Sequence, residues 1–261
     1  MSGAGLPGLT TRELGRTVIS LDEVDSTNRY LKERAGELPH GTACLTGCQR
    51  AGRGRLGRSW DVPDGQTLAL SVLFRTGGDV ERLPLLCGLA VSGALEALTG
   101  AAFRIKWPND IVCSSRKVCG ILCESRPDGQ GGLAVVAGMG VNLRQTAAWF
   151  AQAGLPHAGS VLELTGRTLS LEETAAAILN QLEPLWDLCG QEGFAVLRER
   201  YARRCINLGR SVRVLSPAGA VRLEGTAVGV GEDGGLLVES GGEVIPVTAG
   251  EATVRGADGY V

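Results

Sequence analysis

Of the 26 basic residues in this 261-residue chain, three are lysine (Lys32, Lys106 and Lys117) and the other 23 are arginine. An ammonium is a compact point charge and a guanidinium a planar fork, and the two are not interchangeable where geometry matters. A position that keeps lysine against this background is a candidate for charge chemistry. Lys117 opens the apolar run Lys-Val-Cys-Gly-Ile-Leu-Cys-Glu124. Gly120, inside that run, marks a bulge or the close approach of a ligand. A solvated edge charge is the plainer reading of Lys117. Lys106 begins Lys-Trp-Pro-Asn-Asp110, in which Asn109 and Asp110 follow a turn-forming proline. Asp110 is a candidate Mg2+ contact, with an Asx turn as the alternative. Lys32 reads as a helix-surface charge.

Gly52-Arg-Gly-Arg-Leu-Gly57 has the G-x-G-x-x-G spacing. A dinucleotide site needs a helix to open within that motif, and the segment that follows carries Pro63 and Gly65. No Gly-Lys-Ser/Thr triplet makes a phosphate loop. What remains is a loop loosened by glycine and carrying Arg53, Arg55 and Arg58, suited to close over a carboxylate or a phosphate. A solvated basic loop and an RGG-like RNA contact are the alternatives. Gly138-Met-Gly-Val-Asn142 ends another strand with residues small enough for something to pack tightly against them.

The composition excludes several classes. His40 and His157 are the only histidines, and their separation argues against a His-built metal site. Eight cysteines form no Cys-x-x-Cys pair and several sit in apolar runs, so they read as small buried hydrophobes of a reduced cytosol. A net charge of −2 argues against a protein that coats nucleic acid. No run approaches the ~20 apolar residues of a membrane span, and the N-terminus lacks a basic-then-apolar leader. The expected location is the cytoplasm, with no membrane partner.

These side chains need elements to hold them. Strands are expected over 17–24, 42–48, 67–74, 103–107, 110–114, 117–124 and 132–143. Ser114-Ser-Arg116 should form a hairpin turn. Helices are expected over 27–36, capped from Asp25-Ser-Thr-Asn28, and over 80–99. Two more are expected over 170–189, with Ser170 and Glu173 as a capping box, and over 191–205. From Ser211 to Arg255 short β segments alternate with turn clusters, as in a small barrel.

Asp25-Ser-Thr-Asn28, Gln49-Arg-Ala-Gly-Arg-Gly-Arg-Leu-Gly-Arg58, Lys106-Trp-Pro-Asn-Asp110, Lys117-Val-Cys-Gly-Ile-Leu122 and Gly138-Met-Gly-Val-Asn142, in this order, resemble the motifs of biotin protein ligases. The resemblance runs over most of the chain. It implies an α/β (α+β) fold: a class II synthetase-like catalytic domain on a mixed sheet over 1–205, and a small SH3-like β-barrel over 206–261. The implied enzyme joins biotin to ATP as biotinyl-5′-AMP, with Mg2+, and passes biotin to one lysine of a biotin carboxyl carrier domain. Ser26, Thr27, Asn28 and Gln49 would face biotin, together with Gly52, Arg53, Arg55, Lys117 and Gly120. Arg55, Arg58, Trp60, Asn109, Asp110 and Asn142 would lie on the nucleotide side, with Asp110 on the metal. Lys117, Arg53 and Arg55 would supply the catalytic charges.

Bifunctional members carry an N-terminal winged-helix domain. Here the motifs begin by residue 25, so the resemblance implies a ligase without a nucleic-acid partner. Some members stack an aromatic on adenine in the segment equivalent to His157-Ala-Gly-Ser-Val161, which has no Trp, Tyr or Phe; His157 and Trp149 are the candidates. Relatives dimerise by sheet extension or stay monomeric, and the pattern leaves a homodimer open. The nearest rival is a lipoate or octanoate ligase or transferase on the same core. A transferase of that fold uses a Cys nucleophile with a Lys, which draws attention to Cys119 and Cys123. A non-catalytic binder of biotin or nucleotide is a further rival.

Overall fold

Alternation along one strand decides the architecture. In β3 (Thr67–Thr76) the even-numbered residues Leu68, Leu70, Val72 and Phe74 enter the main core, while Leu73 enters a smaller core on the opposite face. The structure is a computed structural model that describes residues 5–60, 63–78, 80–129, 131–248, 253–256 and 260. Six more strands complete the sheet: β1 (Val18–Ser20), β2 (Ala43–Thr46), β4 (Arg104–Lys106), β5 (Asp110–Cys113), β6 (Arg116–Pro127) and β7 (Leu133–Asn142). They lie in the order β1-β2-β3-β7-β6-β5-β4. Only β1 and β2 pair in parallel, so the sheet is mixed, as expected.

Two long helices cover one face. α2 (Leu83–Thr99) is apolar nearly all round because it lies between the sheet and α5 (Leu171–Glu192), and it stops at Gly100, whose φ of 76° is left-handed. Ser170 caps α5 by accepting from the Glu173 amide, as the sequence predicts. On the other face packs α1 (Thr27–Glu33), whose Leu31 meets Leu73, Ala134 and Val136. Beyond the reach of α1 that face is floored by glycine. Gly120 of β6 pairs with Gly140 of β7, and Leu122 pairs with Gly138. This bare patch is the floor of the cavity described below.

The hairpin between β5 and β6 forms as expected. Ser114 and Ser115 take φ of 48° and 62°, the two positive values that a tight two-residue turn requires. Three expectations differ. The strand over 17–24 shortens to Val18–Ser20, and Val24 pairs again with Gln49 only as an isolated bridge. The helix over 191–205 begins at Arg198, because Gly193 at φ 79° ends α5 and a 3-10 turn, Phe194–Leu197, intervenes. Two further helices, α3 (Ala147–Gln152) and α4 (Val161–Thr165), are too short for their periodicity to register; their caps, Thr146 and Ser160, were the available signal. The final helix, α6, spans Arg198–Arg204.

A second, antiparallel sheet follows: β8 (Ser211–Leu215), β9 (Val221–Val230), β10 (Leu236–Ser240), β11 (Glu243–Val247) and β12 (Thr253–Gly256), in the order β11-β10-β9-β8-β12. Val212, Val214, Leu236 and Val238 belong to the same apolar core as α2 and the large sheet. Trp107 crosses the junction. Its indole N–H donates to the Gly234 carbonyl at 3.0 Å, and its amide donates to Asn207 Oδ1 at 2.8 Å.

Candidate active site

The cavity over the glycine floor has two lobes. Ser26, Thr27, Asn28, Gln49, Arg53 and Gly138 surround the first. Arg58, Lys106, Asp110, Asn142 and Tyr260 surround the second. Arg55, Trp60, Asn109 and Lys117 border both. Ser26, Thr27, Asn28, Gln49, Arg53 and Gly120, proposed for biotin, line the first lobe, and Arg58, Asp110 and Asn142, proposed for nucleotide, line the second; Trp60 and Asn109 border both, as Lys117 and Arg55 do, and Gly52 lines neither.

A connected hydrogen-bond network organises the first lobe. Ser26 is extended at φ −159° and caps α1. Thr27 donates to Gln49 Oε1 through its amide at 2.9 Å and its hydroxyl at 3.1 Å. The Ser71 hydroxyl, on the site face of β3, lies 2.7 Å from both Thr27 Oγ1 and Asn28 Oδ1. Asn28 Nδ2 donates to the Leu122 carbonyl and to Glu124 Oε2. Glu124 in turn pairs with Lys32 at 2.5 Å. Burial opposes the charge on Glu124, but the hydrogen bonds from Lys32 and Asn28 and the Lys32 charge outweigh it, and the carboxyl is held below its usual range. Lys32 is therefore not the helix-surface charge expected from sequence. Its partner lies on β6, 92 residues away, where helix periodicity gives no hint of it.

Gly138 and Gly140 make room for this lobe. A Cβ on Gly138 would lie 2.2 Å from Asn28 Oδ1, and one on Gly140 would lie 2.9 Å from the Trp60 ring. Trp60 lies across the floor beside Gly120, and its indole N–H is buried without a hydrogen-bond partner among the described residues. The sequence reading put Trp60 on the nucleotide side alone, whereas it borders both lobes. The Gly/Arg loop that carries it is a small hairpin, closed by the Trp60 amide donating to the Gly52 carbonyl and the Gly54 amide donating to the Arg58 carbonyl. A Cβ at Gly52 would meet the Trp60 carbonyl oxygen at 2.5 Å, so glycine is required there. At the tip, Leu56 takes φ 58° and is exposed.

Charge organises the second lobe. Asp110 is buried, and its Oδ1 lies 2.7 Å from Lys117 Nζ. Burial would raise its pKa, but the Lys117 and Lys106 charges and the hydrogen bonds from Lys117 and Tyr260 prevail and lower it. Lys117 Nζ also stands 5.3 Å over the Trp60 ring and 3.2 Å from where a Gly120 Cβ would be, which places the ammonium over the floor where the lobes meet. Arg55 donates to Asn109 Oδ1 at 3.2 Å, and Asn109 Nδ2 donates to the Ile121 carbonyl. Asn142 Nδ2 donates to the Gly159 carbonyl, while the Lys117 amide donates to the His157 carbonyl. Segment 157–159 is thereby fastened along the start of β6.

Two residues at this lobe carried no role in the sequence reading. Lys106 is buried and donates to the Val254 carbonyl of β12 at 2.7 Å. Burial, with the nearby Arg255, Lys117 and Arg55 charges, lowers its pKa to about 8 against the pull of Asp110. Tyr260 donates to Asp110 Oδ2 and lies parallel to the His157 ring. Cys119 and Cys123 border neither lobe. Cys119 is buried on the core face of β6, where desolvation pushes its thiol far up. That is the opposite of what a nucleophilic thiolate needs.

Comparison with known proteins agrees with this geometry. Residues 21–142 match the model of the "Biotin/lipoate A/B protein ligase family", and residues 208–255 match "Biotin protein ligase C terminal domain". The "Biotin--[acetyl-CoA-carboxylase] ligase" of Paracoccus denitrificans is 34% identical over 242 residues, which is 87% of this chain and 96% of that protein. The "Bifunctional ligase/repressor BirA" of Escherichia coli (strain K12) is 32% identical over 248 residues, 94% of this chain and 76% of that protein. A solved structure, "Biotin protein ligase from Aquifex aeolicus in complex with biotin and ATP", superposes with a TM-score of 0.82 at 30% identity, covering 93% of this chain and all of that one. Motif order, two-lobed cavity and matches along both sheets agree: the chain belongs to the biotin protein ligases.

Proposed function

We propose that the chain activates biotin with ATP to biotinyl-5′-AMP and transfers the biotinyl group to a lysine of a biotin carboxyl carrier domain in the cytoplasm. The observation that carries this reading is the meeting of a lobe organised by a hydrogen-bond network with one organised by clustered cations, at Lys117. A carboxylate oxygen of biotin attacks the α-phosphorus, the P–O bond to pyrophosphate breaks, and pyrophosphate leaves. Two anions must approach each other, so positioning and charge stabilisation dominate the barrier. Lys117 at the join bridges the biotin carboxylate and the α-phosphate. Arg55 and Arg53 hold the same charge from the loop. A fixed donor of this kind is typically worth ~2.7–4 kcal/mol in the transition state.

Mg2+ fits this donor set. It binds through one or two carboxylates plus substrate phosphates, and Asp110 supplies one buried carboxylate at the second lobe, with Oδ1 2.7 Å from Lys117 Nζ. When bound it would neutralise phosphate charge. The acyl phosphate is water-labile, so the Gly/Arg hairpin serves as a lid over it. The carrier lysine, as a free amine, then attacks the acyl carbon, AMP leaves, and no covalent enzyme intermediate forms. Biotin-dependent ATP–pyrophosphate exchange tests the reading. Exchange is expected with biotin and not with lipoate or octanoate; the reverse pattern overturns it.

A further inference from the structure

Tyr260 is the one aromatic side chain hydrogen-bonded to a charged group of the nucleotide lobe among the described residues, and every part of it is engaged there. Its hydroxyl donates to Asp110 Oδ2. Its ring stacks on His157, with centroids 5.8 Å apart and planes 11° apart. Lys106 Nζ stands 4.5 Å from the ring centre and the Arg255 guanidinium 5.2 Å from it. Burial and the Asp110 charge push the phenol far above its ordinary pKa, so it remains a neutral donor. An aromatic ring against His157, a polar group on Asp110 and electron density facing Lys106 and Arg255 are what an incoming nucleotide and its cation would themselves present.

We infer that Tyr260 is a self-occupant of the nucleotide lobe, competing with ATP for Asp110, Lys106 and the His157 face, and that it must leave before nucleotide binds. This rests on the nucleotide reading of the lobe. The alternative is a permanent wall residue, and geometry disfavours it. At 5.8 Å the His157–Tyr260 stack leaves no gap for a base, and the hydroxyl caps the carboxylate that a metal–nucleotide complex would use. A protein whose competent state is only a fraction f of the population binds with its dissociation constant raised by 1/f. Removing the occupant therefore tightens binding.

The test is titration of the whole protein with α,β-methylene-ATP, which cannot donate its adenylyl group because a methylene replaces the oxygen between the α- and β-phosphorus, with and without Mg2+, and separately with biotin. Tyr260→Phe keeps the ring and loses the hydrogen bond to Asp110; Tyr260→Ala removes both. If Tyr260 fills the lobe in about nine molecules of ten, Tyr260→Ala binds the analogue about tenfold more tightly. Tyr260→Phe should fall between it and the wild type, and biotin affinity should not change. In exchange assays KM for ATP falls while kcat holds. Unchanged or weaker binding of the analogue by Tyr260→Phe, in a protein that still binds biotin normally, overturns the proposal and makes Tyr260 a wall of the site. A wild type that binds biotin but no nucleotide overturns the nucleotide reading and takes this proposal with it.

Discussion

The two lobes solve recognition in opposite ways. The first is built from α1, β3, β6 and β7, and its side chains already satisfy one another in a chain from Gln49 through Thr27, Ser71, Asn28 and Glu124 to Lys32. The second is a cluster of like charges around one carboxylate, assembled from β4, β5, β6 and the C-terminal strand β12. A neutral ring with fixed donors and acceptors is best read by a rigid pre-formed network, since an unpaired buried polar group costs ~1–3 kcal/mol. A polyanion is best met by cations whose mutual repulsion is relieved only when it arrives. The first lobe should therefore be sensitive to shape and the second to charge.

Lys117 is the sharpest break. Lys117→Ala should lower the adenylation kcat by about 10²–10³ while biotin binding changes little, as read by single-turnover exchange beside biotin titration. Lys117→Arg should not restore the rate, because the fork cannot occupy the point taken by a compact ammonium beside Gly120. Equal losses of biotin affinity and rate would place Lys117 in the first lobe and erase the distinction.

Gly138→Ala is the counterpart in the first lobe. The new Cβ would meet Asn28 Oδ1 at 2.2 Å, and the backbone of β7 is held by pairs on both sides, so Asn28 must move. Overpacking of this sort costs about 1–3 kcal/mol. Where it falls on the bound geometry it should raise KM for biotin roughly tenfold and leave KM for ATP alone. A matching rise in both would show that the lobes share one framework.

Local chemistry was readable from the sequence; distant pairing was not. The Ser114–Ser115 turn, the Ser170 cap and the strand runs of β3 and β7 depend on residues within a few positions, and each appears where the pattern places it. The glycines of the 120 and 138–140 segments were visible as residues with room above them. That they form one floor follows only from the register that sets Gly120 against Gly140. Lys32, Lys106 and Tyr260 were misjudged or passed over because their partners Glu124, Val254 and Asp110 are 92, 148 and 150 residues away. No periodicity carries information over that span.

A weaker perturbation sharpens the contrast. Lys32→Met leaves Glu124 in place but removes its ammonium partner at 2.5 Å. Asn28 keeps its bonds to Leu122 and Ser71, so KM for biotin should rise only about threefold, since loss of a partly exposed ion pair costs about 0–1 kcal/mol. The carboxyl of Glu124 should also titrate nearer its ordinary value, readable by NMR, because the ammonium that holds it down is gone.

The smallest effect separates the lobes by pH. Lys106 has a folded pKa lowered to about 8, chiefly by burial, so folding favours its neutral form. Its charged form is a cost to the fold below pH 8, and that cost disappears as pH rises from there toward the ordinary lysine value. Stability should therefore increase over that window, as seen by thermal unfolding, and Lys106→Met should abolish the increase. Nucleotide affinity should move the other way. Loss of the Lys106 charge removes one cation from the second lobe while Lys117, Arg55 and Arg255 remain, so KM for ATP should rise about twofold to threefold above pH 8. KM for biotin should stay flat across the same range, because the first-lobe carboxylate, Glu124, is held below its usual range and is already ionised there. Parallel drift of both constants would mean that Lys106 acts through the junction with β12 rather than through its charge.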